Sequence, residues 1–234
     1  MSIELQNIQT ALEALRDPEK QRTLPRFFKT GKGDYGEGDR FLGITVPNIR
    51  SVARQNLQAS ESTLSALLES PWHEHRMCAL LILVEHYKEA SPSEQEAIVG
   101  FYLSHLEGVN NWDLVDFSAP YLLGAYLQNH PHQLLYTLAA SQVLWEQRIA
   151  MVSTWPLIGR HQFTDTLRLA EIFLHHPHDL MQKATGWMLR EVGKNDRDVL
   201  LRFLDAHASE MPRTMLRYAI EKLNPAERKY YLKQ

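Results

Sequence analysis

The residues of greatest chemical interest form the run Asn-Asn-Trp-Asp-Leu-Val-Asp at positions 110–116. Trp112 and Asp116 are four residues apart, so on a helix they share a face, and Asp113 lies on nearly the same face. An indole beside a carboxylate suits a cationic group, because the ring attracts positive charge through its quadrupole and the carboxylate through its own charge. The same spacing also fits a structural role in which Asp113 caps backbone N–H groups while Trp112 packs.

A second set of residues suited to nucleic acid lies towards the C-terminus. Trp187 follows Lys183 by one helical turn, so the two share a helix face. Together with Trp112, this tryptophan could contact a sugar or base, while nearby cations contact phosphates. The candidate cations are Arg148, Lys183, Arg190 and Lys194. Each of them, taken alone, is more often an ordinary solvated surface residue.

Residues 31–36 spell the pattern G-x-G-x-x-G, which is found in dinucleotide-binding proteins. Such a site needs a strand before the glycines and a helix after them. The chain is helical in pattern before this segment, and the Glu37 and Asp39 carboxylates that follow would repel a pyrophosphate. We therefore interpret Gly31–Asp39 as a flexible loop, which can still fold over a group bound nearby.

Histidines cluster at residues 73–75 and 175–178, where zinc binding is conceivable. No carboxylate or cysteine completes a ligand set at helical spacing, and Pro177 places the second cluster in a turn. We predict that these histidines lie in surface loops, and that the protein uses no metal and no organic cofactor.

The elements that must position these residues are predicted to be helices. Apolar residues recur at three- and four-residue steps in segment after segment, and no stretch alternates with period two over six residues. Helix-breaking prolines separate the apolar segments, at Pro18, Pro71, Pro92, Pro131, Pro177, Pro212 and Pro225. The pattern predicts an all-α protein of short helices.

Segments with a polar or aromatic opening and an apolar continuation recur along the chain. Aligning them places Arg76, Asp113, Arg148 and Lys183 at successive separations of 37, 35 and 35 residues. A period near 36 fits a repeat of helical pairs, each of which buries its apolar face on its neighbours. We expect a single domain over residues 1–234, a curved α-solenoid of about six pairs whose second helices line a concave surface.

Composition and cysteine content exclude several classes of protein. The 234 residues are 44% hydrophobic and 23% charged, which is typical of a globular chain. Cys78 is the only cysteine, so an intrachain disulfide is excluded and a reducing compartment is favoured. We find no secretory signal pattern and no apolar run near the ~20 residues of a membrane helix, and we expect a cytoplasmic protein.

The formal net charge of -3, from 25 basic and 28 acidic residues, argues on its own against a nucleic-acid partner. The charge is unevenly distributed, however. Residues 183–234 hold 11 basic and 7 acidic residues, a net of +4, which leaves -7 for residues 1–182. An acidic convex side with a basic concave stripe would give this total, so we expect modest nonspecific DNA affinity from a few cations.

Four stretches, taken in order and spacing, resemble the AlkD family of bacterial DNA alkylation-repair glycosylases. They are residues 41–44 (Phe-Leu-Gly-Ile), 112–116, 145–148 (Trp-Glu-Gln-Arg) and 186–191 (Gly-Trp-Met-Leu-Arg-Glu). The resemblance covers nearly the whole chain. It implies a HEAT-like repeat fold that holds double-stranded DNA in its concave surface and hydrolyses the N-glycosidic bond of positively charged N3- or N7-alkylated purines.

The resemblance also implies roles for individual residues. Trp112 and Trp187 match the active-site tryptophans of the family, Asp116 its catalytic carboxylate and Arg148 its DNA-contacting arginine. N-alkylation makes the purine cationic and hence a good leaving group, so no strong general acid is needed. Asp116 would stabilise the oxocarbenium-like state and orient a water molecule for attack.

The sequence departs from the family pattern at a few positions. Thr45 and Val46 stand where a Gln-Thr pair is expected, Phe27 replaces a tyrosine, and the Gly31–Asp39 loop is longer than in the shortest members. These differences bear on substrate range and efficiency. Two alternatives therefore accompany the prediction of a monomeric DNA glycosylase: a non-catalytic DNA-binding repeat protein, and a protein-interaction scaffold.

Overall fold

The computed structural model describes residues 2–234, which form helices joined by loops. No strand occurs in these residues, and the one extended pairing among them is an isolated bridge between Arg40 and Trp72. The all-α prediction is therefore confirmed. Within residues 2–234, every helix is too short or too polar to cross a bilayer.

The chain divides into two compact units. The N-terminal unit ends at Ser118 and the C-terminal unit begins at Ala119. The expectations of one domain and of stacked HEAT-like pairs remain predictions.

The N-terminal unit contains seven α-helices within the described residues. They are α1 (Ile3–Glu13), α2 (Pro18–Phe27), α3 (Val46–Gln55), α4 (Glu61–Leu68), α5 (His73–Glu89), α6 (Pro92–Ser104) and α7 (Trp112–Ser118). Pro18 and Pro92 each occupy a first helical position, where the missing N–H costs nothing. The Asp17 carboxylate caps α2, and Ser91 with Glu94 forms a capping box on α6.

Helix α5 forms the centre of this unit. It packs against α3, α4, α6 and α7, and its residues from His73 to Val84 are all buried. A helix that is enclosed on every side must also bury its polar residues. This explains why α5 carries buried charges in its first turn.

The C-terminal unit contains nine α-helices within the described residues. They are α8 (Ala125–Leu127), α9 (Gln133–Ala139), α10 (Leu144–Val152), α11 (Trp155–Gly159), α12 (Thr164–Ile172), α13 (Asp179–Asn195), α14 (Arg197–His207), α15 (Arg213–Ala219) and α16 (Pro225–Tyr231). Helix α13 packs most extensively on α15. Gly186 permits this approach, because a Cβ there would overlap the Met215 carbonyl oxygen and the Tyr218 Cβ.

The residues of the 36-residue alignment all lie within the first five positions of a helix. Arg76 is in the first turn of α5, Asp113 in the first turn of α7, and Arg148 and Lys183 at the fifth residues of α10 and α13. The shared position agrees with the predicted periodicity of helix starts.

A buried turn at residues 41–44 connects the loop region to α3. The Glu74 carboxylate accepts hydrogen bonds from the backbone N–H groups of Leu42, Gly43 and Ile44, at 2.9, 2.8 and 3.2 Å. Gly43 has a φ of +87°, and a Cβ on it would overlap the backbone of Asp17 and Gln21. Only glycine fits both the backbone conformation and the space.

Replacement of Gly43 by alanine should destabilise the fold. We expect the free energy of unfolding of Gly43→Ala to fall by more than about 2 kcal/mol, because the left-handed backbone and the overlap both penalise a Cβ. Gly100→Ala is the matched control, since Gly100 is in α6 with open space around it, and alanine there should add about 0.5–1 kcal/mol. Urea unfolding measures both, and equal stability of Gly43→Ala and the wild type would contradict the role of this turn.

Candidate functional site

Trp112 begins α7 and is held in an aromatic cluster of the N-terminal unit. Its ring stacks on Phe28 at a centroid distance of 5.5 Å and meets the edge of Phe27 at 6.0 Å. Phe28 in turn stacks on Phe41 at 4.9 Å. Trp112 is partly exposed, whereas Phe28 and Phe41 are buried and Phe27 is 63% exposed. The buried rings fix Trp112 and leave part of its surface open.

A cleft of about 210 Å³ lies beside this cluster. Its walls include Phe27, Phe28 and Phe41, and its remaining lining residues are apolar and polar in equal number. Phe27, Thr45 and Val46, the positions that depart from the family pattern, all line it. The departures noted from the sequence therefore act on one local surface of the N-terminal unit.

A buried ion network lies beneath the cleft. His73 Nδ1 is 3.1 Å from an Asp39 carboxylate oxygen, and His73 Nε2 is 2.9 Å from an Asp113 carboxylate oxygen. Since both ring nitrogens face carboxylates, both must donate, and the imidazole is protonated. Burial opposes the charged ring, but the Asp113 carboxylate, followed by Asp39, outweighs it and raises the pKa of His73 to about 9.

Asp39 joins two further groups, Arg76 and Asn111, to the network. Arg76 donates to it at 2.5 Å and Asn111 at 3.0 Å, while His73 occupies the remaining approach. Burial raises the pKa of Asp39, but the bonds from His73, Arg76 and Asn111 prevail and hold it below its usual value. Two cations thus balance the carboxylates of Asp39 and Asp113.

The network fixes the backbone on both sides of Trp112. The Asn111 side chain accepts the Trp112 N–H at 2.8 Å, and Asp113 accepts the Leu114 N–H at 2.9 Å. The structural alternative for Asp113, bonding to backbone N–H groups, is therefore realised together with an ion pair that the sequence analysis missed. His73 and Asp39 are present in the sequence, but no sequence pattern indicates that residues so far apart form an ion pair.

The prediction of surface-loop histidines is wrong for His73 and His75. Both lie in the first turn of α5 and are at most 4% exposed. Burial, with a contribution from Arg76, lowers the pKa of His75 to about 4, so this ring is neutral. Residues 175–178 lie between α12 and α13, as expected for a turn. No group of metal-ligating side chains occurs among residues 2–234.

The G-x-G-x-x-G segment is a loop, as predicted, with no strand before it and no helix directly after it in the described chain. Two hydrogen bonds within the loop region help to organise it: Gly33 N–H donates to Glu37 at 2.8 Å and Gly36 N–H to the Lys29 carbonyl at 3.1 Å. Its last residue, Asp39, is anchored in the ion network. The loop therefore contains hydrogen-bonded turns, and its flexibility stays a prediction.

Asp116 lies on α7 one helical turn after Trp112 and is partly exposed. The structure therefore brings these two sequence-predicted residues onto one short helix, with the spacing that places them on the same face. Trp112 is immobilised by rings, and Asp116 stands one turn along from it.

Trp187 belongs to a second cluster, in the C-terminal unit. Its indole N–H donates to the buried Glu191 at 3.2 Å. Lys194 also binds Glu191, at 2.6 Å, and Arg190 pairs with both Glu191 and Glu221. Lys183 pairs with Asp179 at 2.9 Å. The predicted phosphate-binding cations on α13 thus each have an acidic partner within their own unit.

Arg148 occupies a different environment from the other candidate cations. It is 5% exposed in α10, and its guanidinium donates to the Leu180 carbonyl at 2.6 Å. Lys183 and Lys194 are far more accessible, at 36% and 50% side-chain exposure. The role of Arg148 in DNA contact stays a prediction, and the accessible lysines offer the more direct approach to a phosphate.

The sequence analysis missed Trp155, which contacts Trp187, and Tyr121, which contacts Trp155. The Trp155 ring lies 6.2 Å from that of Trp187, and the Tyr121 ring lies 6.2 Å from that of Trp155. Both missed residues are exposed, at 36% and 41%. The sequence shows a tryptophan at position 155, but it does not indicate that this residue contacts Trp187 on another helix.

The chain is similar to known proteins over most of its length. Residues 8–223 match the model of a protein family described as DNA alkylation repair enzyme. No curated protein matches the sequence significantly. Among solved structures, the chain is similar to one described as a predicted DNA alkylation repair enzyme from Enterococcus faecalis, with 17% identity and a TM-score of 0.70. The match covers 90% of this chain and 97% of that chain, so the two share a fold.

The charge on His73 should make stability depend on pH. Between the ordinary histidine pKa of 6.5 and about 9, the folded chain keeps a proton that the unfolded chain releases. The free energy of unfolding should therefore fall as pH rises through this window, by up to about 3 kcal/mol, with the full contribution present below the window. Urea unfolding across it measures the effect.

His73→Gln should remove this dependence and lower stability at the acid end. His175→Gln is the control, because His175 is 70% exposed and meets Glu210 only at 3.6 Å. It should keep the wild-type profile. A wild-type stability that stays level through the window would show that His73 is not held protonated.

Proposed function

Because the chain belongs to the DNA alkylation repair enzyme family, we propose that it is a DNA glycosylase acting on positively charged N3- or N7-alkylated purines in double-stranded DNA. Family membership confirms the resemblance identified in the sequence and supports a role in DNA repair. The observation that carries the finer proposal is the pairing of a ring-clamped Trp112 with Asp116 one turn along α7.

The proposed chemistry is hydrolysis of the N-glycosidic bond. The alkylated base departs as a neutral purine, and positive charge passes to the deoxyribose as the bond breaks. Asp116 stabilises this charge and orients the attacking water, and the proton that this water releases as the C1′–O bond forms passes to the solvent. A cationic leaving group needs no metal ion and no strong acid to depart, so we propose that no cofactor takes part.

The proposed role of Trp112 is to face the developing charge. A tryptophan ring stabilises a nearby cation by about 0.5–2 kcal/mol, and the stabilisation is greatest where water is excluded. Stacking on Phe28 fixes the ring before DNA binds, so little ordering cost remains at the time of reaction. Trp187 has the corresponding proposed role in the C-terminal unit.

The proposed DNA contacts come from cations that are already paired. Lys183 and Lys194 are accessible, and a phosphate could replace Asp179 or Glu191 as their partner. Because one anionic partner replaces another, each such contact gives only a modest gain in the free energy of DNA binding. This agrees with weak nonspecific binding by a chain of net charge -3. Arg148 and Arg190 complete the proposed set, and we propose that the protein acts as a cytoplasmic monomer.

A non-catalytic DNA-binding protein is the alternative. The observation that favours it is that Phe27, Thr45 and Val46, which depart from the family pattern, line the same cleft beside Trp112. If that cleft contacts the lesion, these changes act together on activity. A protein-interaction scaffold is a further alternative that predicts negligible DNA affinity at any salt concentration.

Release of 7-methylguanine from methylated duplex DNA tests the proposal. We expect wild-type protein to release the base and Asp116→Asn to be slower by about 10²–10³-fold, because the amide cannot stabilise the developing charge. Asp198→Asn, at a carboxylate that is 77% exposed, is the matched control and should retain full activity.

Two results would contradict the proposal. Equal rates for Asp116→Asn and the wild type would remove Asp116 from the mechanism. No release by folded wild-type protein that binds the DNA would instead favour the non-catalytic alternative. Thermal unfolding of each variant separates loss of chemistry from loss of fold.

The salt dependence of DNA binding tests the proposed phosphate contacts. Lys194→Gln should reduce the slope of log affinity against log salt concentration by about 0.9, the value for one lost phosphate contact. Lys88→Gln is closely matched, because Lys88 is 51% exposed and pairs with Glu85 three residues away, as Lys194 pairs with Glu191. It should leave the slope unchanged, and equal slopes for both variants would exclude Lys194 from the contact.

A further inference from the structure

Positive charge is concentrated in a short segment of the N-terminal unit. Residues 16–32 contain six basic residues and two acidic ones, although residues 1–182 as a whole carry a net charge of -7. The six are Arg16, Lys20, Arg22, Arg26, Lys29 and Lys32. Two of them pair with acidic neighbours, Arg16 with Glu13 and Lys20 with Asp17.

The other four cations are exposed on α2 and on the turns that follow it. They are Arg22, Arg26, Lys29 and Lys32, which we call the α2 basic surface. Arg22 and Arg26 are four residues apart, so they share one face of α2. No residue of α2 is buried, so packing against a core does not explain this face.

The α2 basic surface has no acidic partner. Among residues 2–234, none of its four cations forms an ion pair with a carboxylate, and the Lys29 ammonium lies 6.0 Å from the Tyr35 ring instead. Lys194 on α13, by contrast, already binds Glu191 at 2.6 Å. A phosphate that binds the α2 basic surface therefore replaces no existing ion pair, and its contact keeps the full gain from release of counterions.

Hydrogen-bonded turns keep the two lysines beside α2. Lys29 has a φ of +50°, which reverses the chain at the end of the helix. Its carbonyl accepts the Gly36 N–H at 3.1 Å, and a Cβ at Gly36 would overlap the Phe28 carbonyl oxygen, so the loop lies directly against the end of α2. Lys32 lies within a turn that the Asp34 N–H closes by donating to the Gly31 carbonyl at 3.0 Å.

The carboxylates of the segment leave this surface positive. Asp17 caps α2 by accepting the N–H groups of Glu19 and Lys20, and Asp34 accepts the Gly31 N–H at 3.2 Å. Glu19 lies in the first turn of α2, where the helix dipole favours a negative charge. These acidic groups are directed to backbone N–H groups or to the helix start, and the four cations stay available.

The α2 basic surface adjoins the cleft beside Trp112. Phe27 follows Arg26 directly, is 63% exposed and meets the Trp112 ring at 6.0 Å. Phe27 lines the cleft, whereas Arg26 lies about 100° further round α2. DNA that contacts the cleft thus has its flanking backbone beside these cations.

We propose that the α2 basic surface binds the phosphates of double-stranded DNA that flanks the reacting nucleotide. Arg22 and Arg26 are about 6 Å apart along the helix axis, and the phosphates of one strand recur every ~3.4 Å of duplex, so each arginine reaches a separate phosphate. A guanidinium also matches a phosphate with two parallel hydrogen bonds. The inference rests on the proposed function only in taking DNA as the ligand.

The surface contributes to holding the protein on DNA before it meets a lesion. Contacts to phosphates carry no information about the bases, so they form equally on unmodified and on alkylated duplex. The α2 basic surface is thus an element of nonspecific binding, separate from the residues proposed to act on the glycosidic bond.

The salt dependence of binding to unmodified duplex DNA tests the inference without requiring catalysis. Arg26→Gln should reduce the slope of log affinity against log salt concentration by about 0.9, and Arg22→Gln/Arg26→Gln by about 1.8, the value for two lost phosphate contacts. Arg54→Gln is the matched control, because Arg54 is likewise exposed in the last turn of its helix, α3. It should leave the slope unchanged.

Neutral methylphosphonate linkages identify the phosphates that are contacted. They replace two adjacent phosphates at successive positions along the duplex. Wild-type protein should lose affinity when the linkages lie at the contacted flanking positions. The double variant Arg22→Gln/Arg26→Gln should lose no more at those positions, because its contacts there are already absent and the two changes are not additive.

The outcomes distinguish this inference from the proposed function. Equal slopes for the wild type and the double variant, or an equal loss in Arg54→Gln, would overturn the inference even if the protein releases alkylated bases. Unchanged DNA binding by the double variant with lost binding to phosphatidylserine vesicles would overturn it in favour of a membrane surface. A reduced slope and non-additive losses support it even if the wild type releases no base.

Discussion

The N-terminal unit depends on the pairing of charges that have been removed from water. His73 and Arg76 in α5 are buried with the carboxylates of Asp39 and Asp113, and each carboxylate receives at least one charged partner. Loss of one member would leave another buried and unpaired, which is far more costly than the pairing is favourable. Because the partners come from the Gly31–Asp39 loop, α5 and the start of α7, their pairing holds these segments together. The position of Trp112 follows from it.

The C-terminal unit reaches a comparable precision by another means. Its close contacts are made by glycines, with Gly186 bringing α13 onto α15 and Gly124 bringing the π-helical turn Pro120–Gly124 onto the segment that includes Ser153 and Pro156. Trp187 follows Gly186 directly, and Tyr121 lies in the turn that Gly124 ends. The N-terminal unit thus places its tryptophan through charge pairing, whereas the C-terminal unit places its aromatic residues through close steric fit.

The fold class and most helix starts could be predicted because they depend on local signals. Prolines at the first positions of α2, α6 and α16, and the three- and four-residue apolar period, act within one helix. The spacing of Trp112 and Asp116 is local in the same sense. The burial of His73 was missed because polarity predicts exposure, and its carboxylate partners lie 34 and 40 residues away. Trp155 and Tyr121 were missed for a related reason, since ring contacts between helices leave no periodic trace in the sequence.

The hydrogen bond from the Trp187 indole to Glu191 has a consequence for recognition. An indole has one polar hydrogen, and Glu191 already holds it, so Trp187 can offer a ligand only its ring. Purines and pyrimidines present similar ring faces, so a contact made through the Trp187 ring would not depend on the identity of the base. A repair protein with such a contact would bind lesions independently of the surrounding DNA sequence, as is required because lesions arise anywhere in a genome.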